Sequence, residues 1–199
     1  WTLDNAKYWY LTFLYDFLYK CIDMNKIHFN SVDTDSLYMS IAGDMNKPID
    51  QLFDYVIKDK SFYDKHIYSF MPNPAINDVY DEKKILGCCV EKFGMNQVAL
   101  CAKCYTIWSD DRTISLKLKG ISLKKNNIKS SDYKEIIDKQ SVMKGKNINL
   151  QMNSQLMSKI TVIKNALTAA HTKMLVLSNH CCCPYVNGFT AKDYFIENH

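Results

Sequence analysis

Asp33 and Asp35 stand two residues apart in the stretch NSVDTDSLYMS. On a strand, residues two apart share a face. Two carboxylates at that spacing can converge on a divalent cation that takes oxygen ligands, such as Mg2+. The pair is equally the ordinary make-up of a solvated turn, because Asp side chains bond the neighbouring backbone. A second pattern is Lys103-Cys104-Tyr105. Period two puts Lys103 and Tyr105 on one side of a strand and Cys104 on the other, a cation beside an aromatic ring. The plain alternative is an edge-strand lysine with a half-buried tyrosine. A third pattern is Lys117-Leu118-Lys119-Gly120, with two ammonium groups on a shared face and a glycine that admits close backbone approach or marks a bulge. Lys124, Lys125 and Lys129 continue the basic run, as phosphate contacts or as a solvated loop.

The thiols offer a different metal chemistry. Cys101-x-x-Cys104 has zinc-ligand spacing, with Cys88 and Cys89 expected on the preceding strand. A regular strand would set Cys101 and Cys104 on opposite faces, which argues against a shared ion. The cluster from His180 to Cys183, with His171 upstream, lacks the two-residue spacer of a zinc pair. Neighbouring cysteines do not make the spaced framework of a secreted scaffold. The eight cysteines are therefore read as buried or free thiols of an intracellular protein in a reducing compartment.

The elements that must carry these residues follow from periodicity. Residues 6–22, AKYWYLTFLYDFLYKCI, have a helical pattern in which Thr12, Asp16 and Lys20 form one narrow polar stripe. The other faces are aromatic and aliphatic, which predicts a helix mostly buried in protein, with Asp4 as its cap. Three charges and a short length argue against a membrane span. After Asn25 the pattern alternates: Ile27 and Phe29 on one side, then Leu37, Met39 and Ile41 on one side with Ser36, Tyr38 and Ser40 opposite. That predicts strand, tight turn, strand, with Asp-Thr-Asp at the tip. Residues 49–57, IDQLFDYVI, read as helical. Three further strands are expected as a meander: KKILGCCVEKF, QVALCAKCYTIW and TISLKLKGISL, with turns at Gly94-Met95-Asn96 and Ser109-Asp110-Asp111-Arg112. Asp132 and Glu135 fit a capping pattern for a helix over DYKEIIDKQ. Residues 147–167 show no clear period.

Composition bounds the rest. The chain has 199 residues, 47% hydrophobic and 23% charged, which is globular rather than disordered. It opens on Trp1 rather than Met and is expected to be a piece of a longer protein. The net charge of +4 is unevenly spread: residues 1–110 hold 11 Lys against 15 acidic residues, and residues 111–175 hold 13 Lys and Arg against 4. A basic second half invites a polyanionic partner, or is a solvated basic face.

With the motifs on their elements, the sequence resembles the C-terminal part of a family B DNA polymerase, most of all the protein-primed type of viruses, linear plasmids and mobile elements. DTDSLY, residues 33–38, resembles motif C of the palm. Lys103-Cys104-Tyr105 is similar to the family's Lys-x-Tyr element, which contacts the primer terminus and template. Lys117 to Ser122, KLKGIS, is similar to the stretch leading from palm to thumb. The resemblance covers residues 4–125 and rests on the order of the motifs. It implies an α+β fold: residues 1–122 as the C-terminal part of the palm (buried helix, motif C hairpin, antiparallel meander), and 123–199 as a basic, mixed, partly helical thumb.

The resemblance also implies an activity. Deoxynucleotides are added to a primer by phosphoryl transfer with two Mg2+ ions, about 3.5–4 Å apart, that stabilise the attacking and leaving oxygens. Asp35 would be the stronger metal ligand and Asp33 the less direct one, paired with a motif A aspartate that this sequence does not contain. Ser36 would position the hairpin or the primer, and Lys103, Tyr105, Lys117, Lys119 and Gly120 would contact DNA. The implied partners are primer-template DNA, deoxynucleoside triphosphates and a terminal protein primer, with no membrane. The fingers motif and exonuclease domain are absent too, so the isolated chain is expected to be inactive. Ser31 and Val32 replace the family's Tyr and small residue, and the C-terminal SNHCCCPYVNGF lacks the family's basic signature. A non-catalytic nucleic-acid-binding remnant of a decayed mobile element is the alternative, and a zinc-dependent binding module a third.

Overall fold

The structure, a computed structural model, describes residues 1–76, 87–110, 112–170, 174–179 and 182–194. It is α+β, with short helices and small antiparallel sheets. The chain forms two compact units, residues 1–97 with 107–114 and residues 98–106 with 115–199. Residues 122 and 123, where the sequence reading sets its domain boundary, both belong to the second unit.

The first unit opens with helix α1 (Thr2–Thr12), which runs on through a π-helical stretch (Phe13–Leu18) into α2 (Tyr19–Cys21). Its buried residues are Phe13, Leu14, Phe17, Leu18, Cys21 and Ile22, two rows spaced by four. In an α-helix, residues four apart drift about 40° around the axis. The wider π turn offsets that drift and keeps both rows on the core. Full burial of Phe17 contributes about 2–3 kcal/mol. The polar stripe forms as expected: Thr12 Oγ1 donates to Tyr8 O at 2.9 Å, and Lys20 pairs with Asp16 at 3.4 Å.

Two expectations for this helix fail. It is not mostly buried: no residue of α1 is buried, and Trp1, Leu3, Tyr8 and Leu11 are exposed. Asp4 does not cap the helix but lies within its first turn, with Trp1 at the cap position.

Strands β1 (Ile27–Asp33) and β2 (Ser36–Ile41) make the expected hairpin, antiparallel with Ile27 opposite Ile41 and Asp33 opposite Ser36. Ile27, Phe29, Leu37, Met39 and Ile41 pack on the helical core. The helix expected at Ile49–Ile57 is instead a chain of turns. Phe53 and Val56 are buried anchors, but Leu52 sits at φ 50°. The Gln51 amide accepts from Asp44 N and donates to Asp44 O, both at 2.9 Å, tying the segment to the preceding loop. The end of the segment serves the helix terminus: Asp23 N donates to Val56 O and Lys58 N to Cys21 O, each at 2.8 Å, which satisfies an otherwise orphaned carbonyl. Helix α3 (Lys60–His66) follows, capped by Asp59, which accepts from Phe62 N at 2.9 Å.

A three-stranded sheet does form, one step later than expected. Its strands are β3 (Asn96–Cys101), β4 (Cys104–Ser109) and β5 (Arg112–Lys117), in the order β3-β4-β5. The single strand expected over QVALCAKCYTIW is two strands, folded at Ala102-Lys103 with Lys103 at φ 62°. Of the expected first strand, residues 83–86 lie outside the described residues and residues 87–93 are not a strand. The turn after Ser109 is found, with Asp110 at φ 48°.

In the second unit, α4 (Leu123–Asn126) and α5 (Ser130–Lys139) precede a long antiparallel ribbon of β6 (Val142–Asn153) and β7 (Leu156–Thr168). A small pair, β8 (Met174–Val176) and β9 (Cys182–Pro184), comes last among the described strands. The core is Leu100, Cys104, Ile128, Tyr133, Ile136 and Leu167. The α5 helix was expected, but its cap works differently. Asp132 is the third helical residue and accepts from Lys129 N at 2.8 Å, while Glu135 pairs with Lys139 at 2.6 Å. No helix among the described residues is long and apolar enough to cross a membrane.

Candidate functional site

The carboxylate tip is shaped by a bulge. In the β1–β2 register Phe29 faces Met39 but Ser31 faces Tyr38, so Asn30 is an extra residue on β1. Strict alternation from Phe29 would turn Ser31 and Asp33 toward the core. The inserted residue reverses that parity. Val32 now pairs with Leu37 on the strand face that Phe29 shares, though at the tip Val32 itself is exposed, and Ser31 and Asp33 pair with Tyr38 and Ser36 on the opposite face. The Asn30 amide is itself held: Nδ2 donates to Ser40 Oγ at 2.9 Å and to Gln97 Oε1 at 2.7 Å.

At the tip, Thr34 takes φ 60°, and Asp35 N donates to Asp33 O at 2.7 Å. Ser36 Oγ donates to the same carbonyl at 3.2 Å. Asp33 is half-buried at the strand end and Asp35 is exposed in the turn. Ser36 therefore closes the turn, and the turn offers two carboxylates of the hard oxygen type that Mg2+ takes. No group of three or more His, Cys, Asp or Glu able to hold a metal occurs among the described residues. The donor chemistry fits Mg2+, and the number of donors fits part of a site.

The basic elements lie in the second unit. Lys103 and Tyr105 do not share a strand face. Lys103 is exposed at the β3–β4 turn, and Tyr105 is the second residue of β4, 5% exposed. Lys117 and Lys119 do not share one either: Lys117 ends β5 and Lys119 lies in the bend beyond it, both exposed. The Lys117 carbonyl accepts from the hydroxyl of the fully buried Tyr133 at 2.7 Å, which fixes the end of the strand. Gly120 has φ 80°, a conformation that a side chain would strain, and a Cβ there would meet Lys164 Nζ at 3.4 Å. Sequence reasoning missed Lys164. It is far along the chain, and only the pairing of β7 with β6 brings its ammonium to Gly120.

Cys101 and Cys104 are also placed differently from expectation. They flank a two-residue turn instead of sharing one strand. The cluster at His171 and His180 to Cys183 falls partly outside the described residues; Cys182 and Cys183 are exposed in β9. No protein-family model, curated protein or solved structure matches the chain.

Proposed function

We propose that the chain is the C-terminal palm portion and thumb of a family B, protein-primed DNA-directed DNA polymerase, acting on primer-template DNA and deoxynucleoside triphosphates as part of a longer polypeptide. The observation that carries this reading is the bulged hairpin. An extra residue puts Asp33 on the face opposite Phe29 and Leu37, at a tip that also bears Asp35, on a hairpin that packs against the buried second half of the helix. Asp35, exposed in the turn, is the metal ligand; Asp33, whose carbonyl takes both the Asp35 amide and the Ser36 hydroxyl, sets the shape of the turn. Mg2+ bound there supplies charge stabilisation for the attacking and leaving oxygens of nucleotidyl transfer. Lys103, Lys117, Lys119 and Lys164 bind backbone phosphates, contacts that hold a duplex without reading its sequence. Gly120 keeps the backbone low beside Lys164, and the buried Tyr105 serves the scaffold beneath the turn.

The test is Asp35→Asn in the full-length parent. Primer extension is abolished and DNA binding is retained. Extension that survives the substitution rules out the motif C assignment. A parent that binds DNA but extends no primer, even unsubstituted, supports the decayed-remnant reading instead.

A further inference from the structure

Cys101 ends β3 and Cys104 begins β4, so the two face each other across a two-residue turn. Residues directly opposed on antiparallel strands have Cα atoms about 4.5–5.5 Å apart. A disulfide needs about 4.4–6.8 Å. The Cys101 and Cys104 thiols and the Lys119 ammonium lie close enough to act on one another electrostatically. Cys101 is half-buried and reachable, whereas Cys104 is 4% exposed within the core of the second unit. With no third soft or acidic ligand grouped beside them among the described residues, the pair falls short of a closed zinc site.

We propose that Cys101 and Cys104 are a redox-active dithiol that closes into a disulfide across the β3–β4 turn on meeting a small-molecule disulfide of the glutathione class. The Cys101 thiolate attacks one sulfur of the reagent. The reagent's S–S bond breaks, one reduced thiolate departs and takes up a proton, and Cys101 carries a mixed disulfide. Cys104 then loses its proton, and its sulfur attacks the Cys101 sulfur and expels the second reduced thiol. The chain gives up two electrons and two protons, and the reagent gains both.

The environment divides the roles. The neighbouring Cys104 thiol, with the Lys119 ammonium, holds the Cys101 thiol well below the usual range. The Cys101 sulfur beside it and burial hold Cys104 above it. Burial pushes Cys21 and Cys88 up to about 11, so these thiols compete poorly as nucleophiles. The proposed chemistry does not use the carboxylate hairpin, and shares only Lys119 and the turn at Lys103 with the phosphate contacts proposed above.

Lys103 lies between the two cysteines, so trypsin separates them into peptides 93–103 and 104–112. The reduced full chain is treated with oxidised glutathione at pH 7, quenched by alkylation in denaturant, digested and weighed by mass spectrometry. The expected product is the two peptides joined by a reducible bond. In Cys104→Ser, Cys101 instead retains one glutathione; in Cys101→Ser, the joined pair is lost. On the unsubstituted chain, iodoacetamide at pH 7 alkylates Cys101 about tenfold faster than Cys89, and Lys119→Gln narrows that ratio. The proposal is overturned if glutathione accumulates on Cys101 of the unsubstituted chain without closure. It is equally overturned if Cys101 reacts no faster than Cys89, a measurement that needs no folded variant.

Discussion

The β1–β2 hairpin and the β6–β7 ribbon are built from the same unit, two antiparallel strands and a two-residue turn, yet they are positioned by opposite means. The first has strands of seven and six residues, and five of its apolar side chains lie on a core. Its register is fixed along its length, because a one-residue slip would expose that face. The second has strands of twelve and thirteen residues, and most of them are exposed on both faces. It is held near its base, where Leu167 is fully buried and Met143 and Ala166 pack on the core. There Asn126 acts as a pin: its Oδ1 accepts from Lys146 N at 2.7 Å, and its Nδ2 donates to Lys146 O at 3.0 Å and to Ser122 O at 2.8 Å. The short hairpin is fixed along its whole length by the buried face beneath it, whereas the ribbon is fixed only at its base.

Single-residue deletions in the two hairpins test this contrast most severely. Removing Asn30 restores strict alternation and turns Asp33 toward the core side, at a cost of about 1–3 kcal/mol or more in denaturant unfolding. Removing Asn153, next to the exposed ribbon turn, costs under about 0.5 kcal/mol. Equal losses at the two sites would break the comparison. Next in size, Asn126→Ala leaves the Lys146 backbone groups without their side-chain partners and costs about 1–2 kcal/mol. Amide hydrogen exchange then rises at the ribbon base and stays unchanged in β1 and β2; a uniform rise would mean that Asn126 does not pin the ribbon in particular. The smallest effect is at the ribbon turn, where Ser154 and Gln155 sit at φ 47° and 67°. Replacing them with Asn-Gly suits that backbone and adds about 0.5 kcal/mol, read as slower exchange of the amides beside the turn. Unchanged exchange would show that turn strain does not limit the tip.

The same contrast explains what could be read from the sequence. The carboxylate hairpin was legible because burial of one face writes a period of two into Leu37, Met39 and Ile41. Its bulge was not, since an extra residue leaves both halves alternating and only shifts their parity. The trace it does leave is the three-residue step between Phe29 and Val32, two apolar residues on one side. The ribbon had no period to read, because neither face is buried over most of its length. The β3–β4 turn was hidden by its composition: Ala102-Lys103 is not turn chemistry, and Lys103 adopts a left-handed conformation there without a glycine. The cysteine spacing was visible from the start, but its geometry depended on that hidden turn. The segment at Ile49–Ile57 misled for another reason. Phe53 and Val56 have helical spacing, but the outward bonds of Gln51 and the left-handed Leu52 divert the backbone.

The π-helical stretch at Phe13–Leu18 works as a phase shifter. Downstream of it, the chain is committed to the core through Phe17, Leu18, Cys21 and Ile22; upstream, α1 is turned to solvent. Loss of one residue between Trp9 and Phe13, with the π turn left intact, would rotate Trp1, Tyr8 and Trp9 by about 100° around the axis, while the core residues beyond it kept their places. A single-codon change can thus present a different set of aromatic residues without remaking the interior.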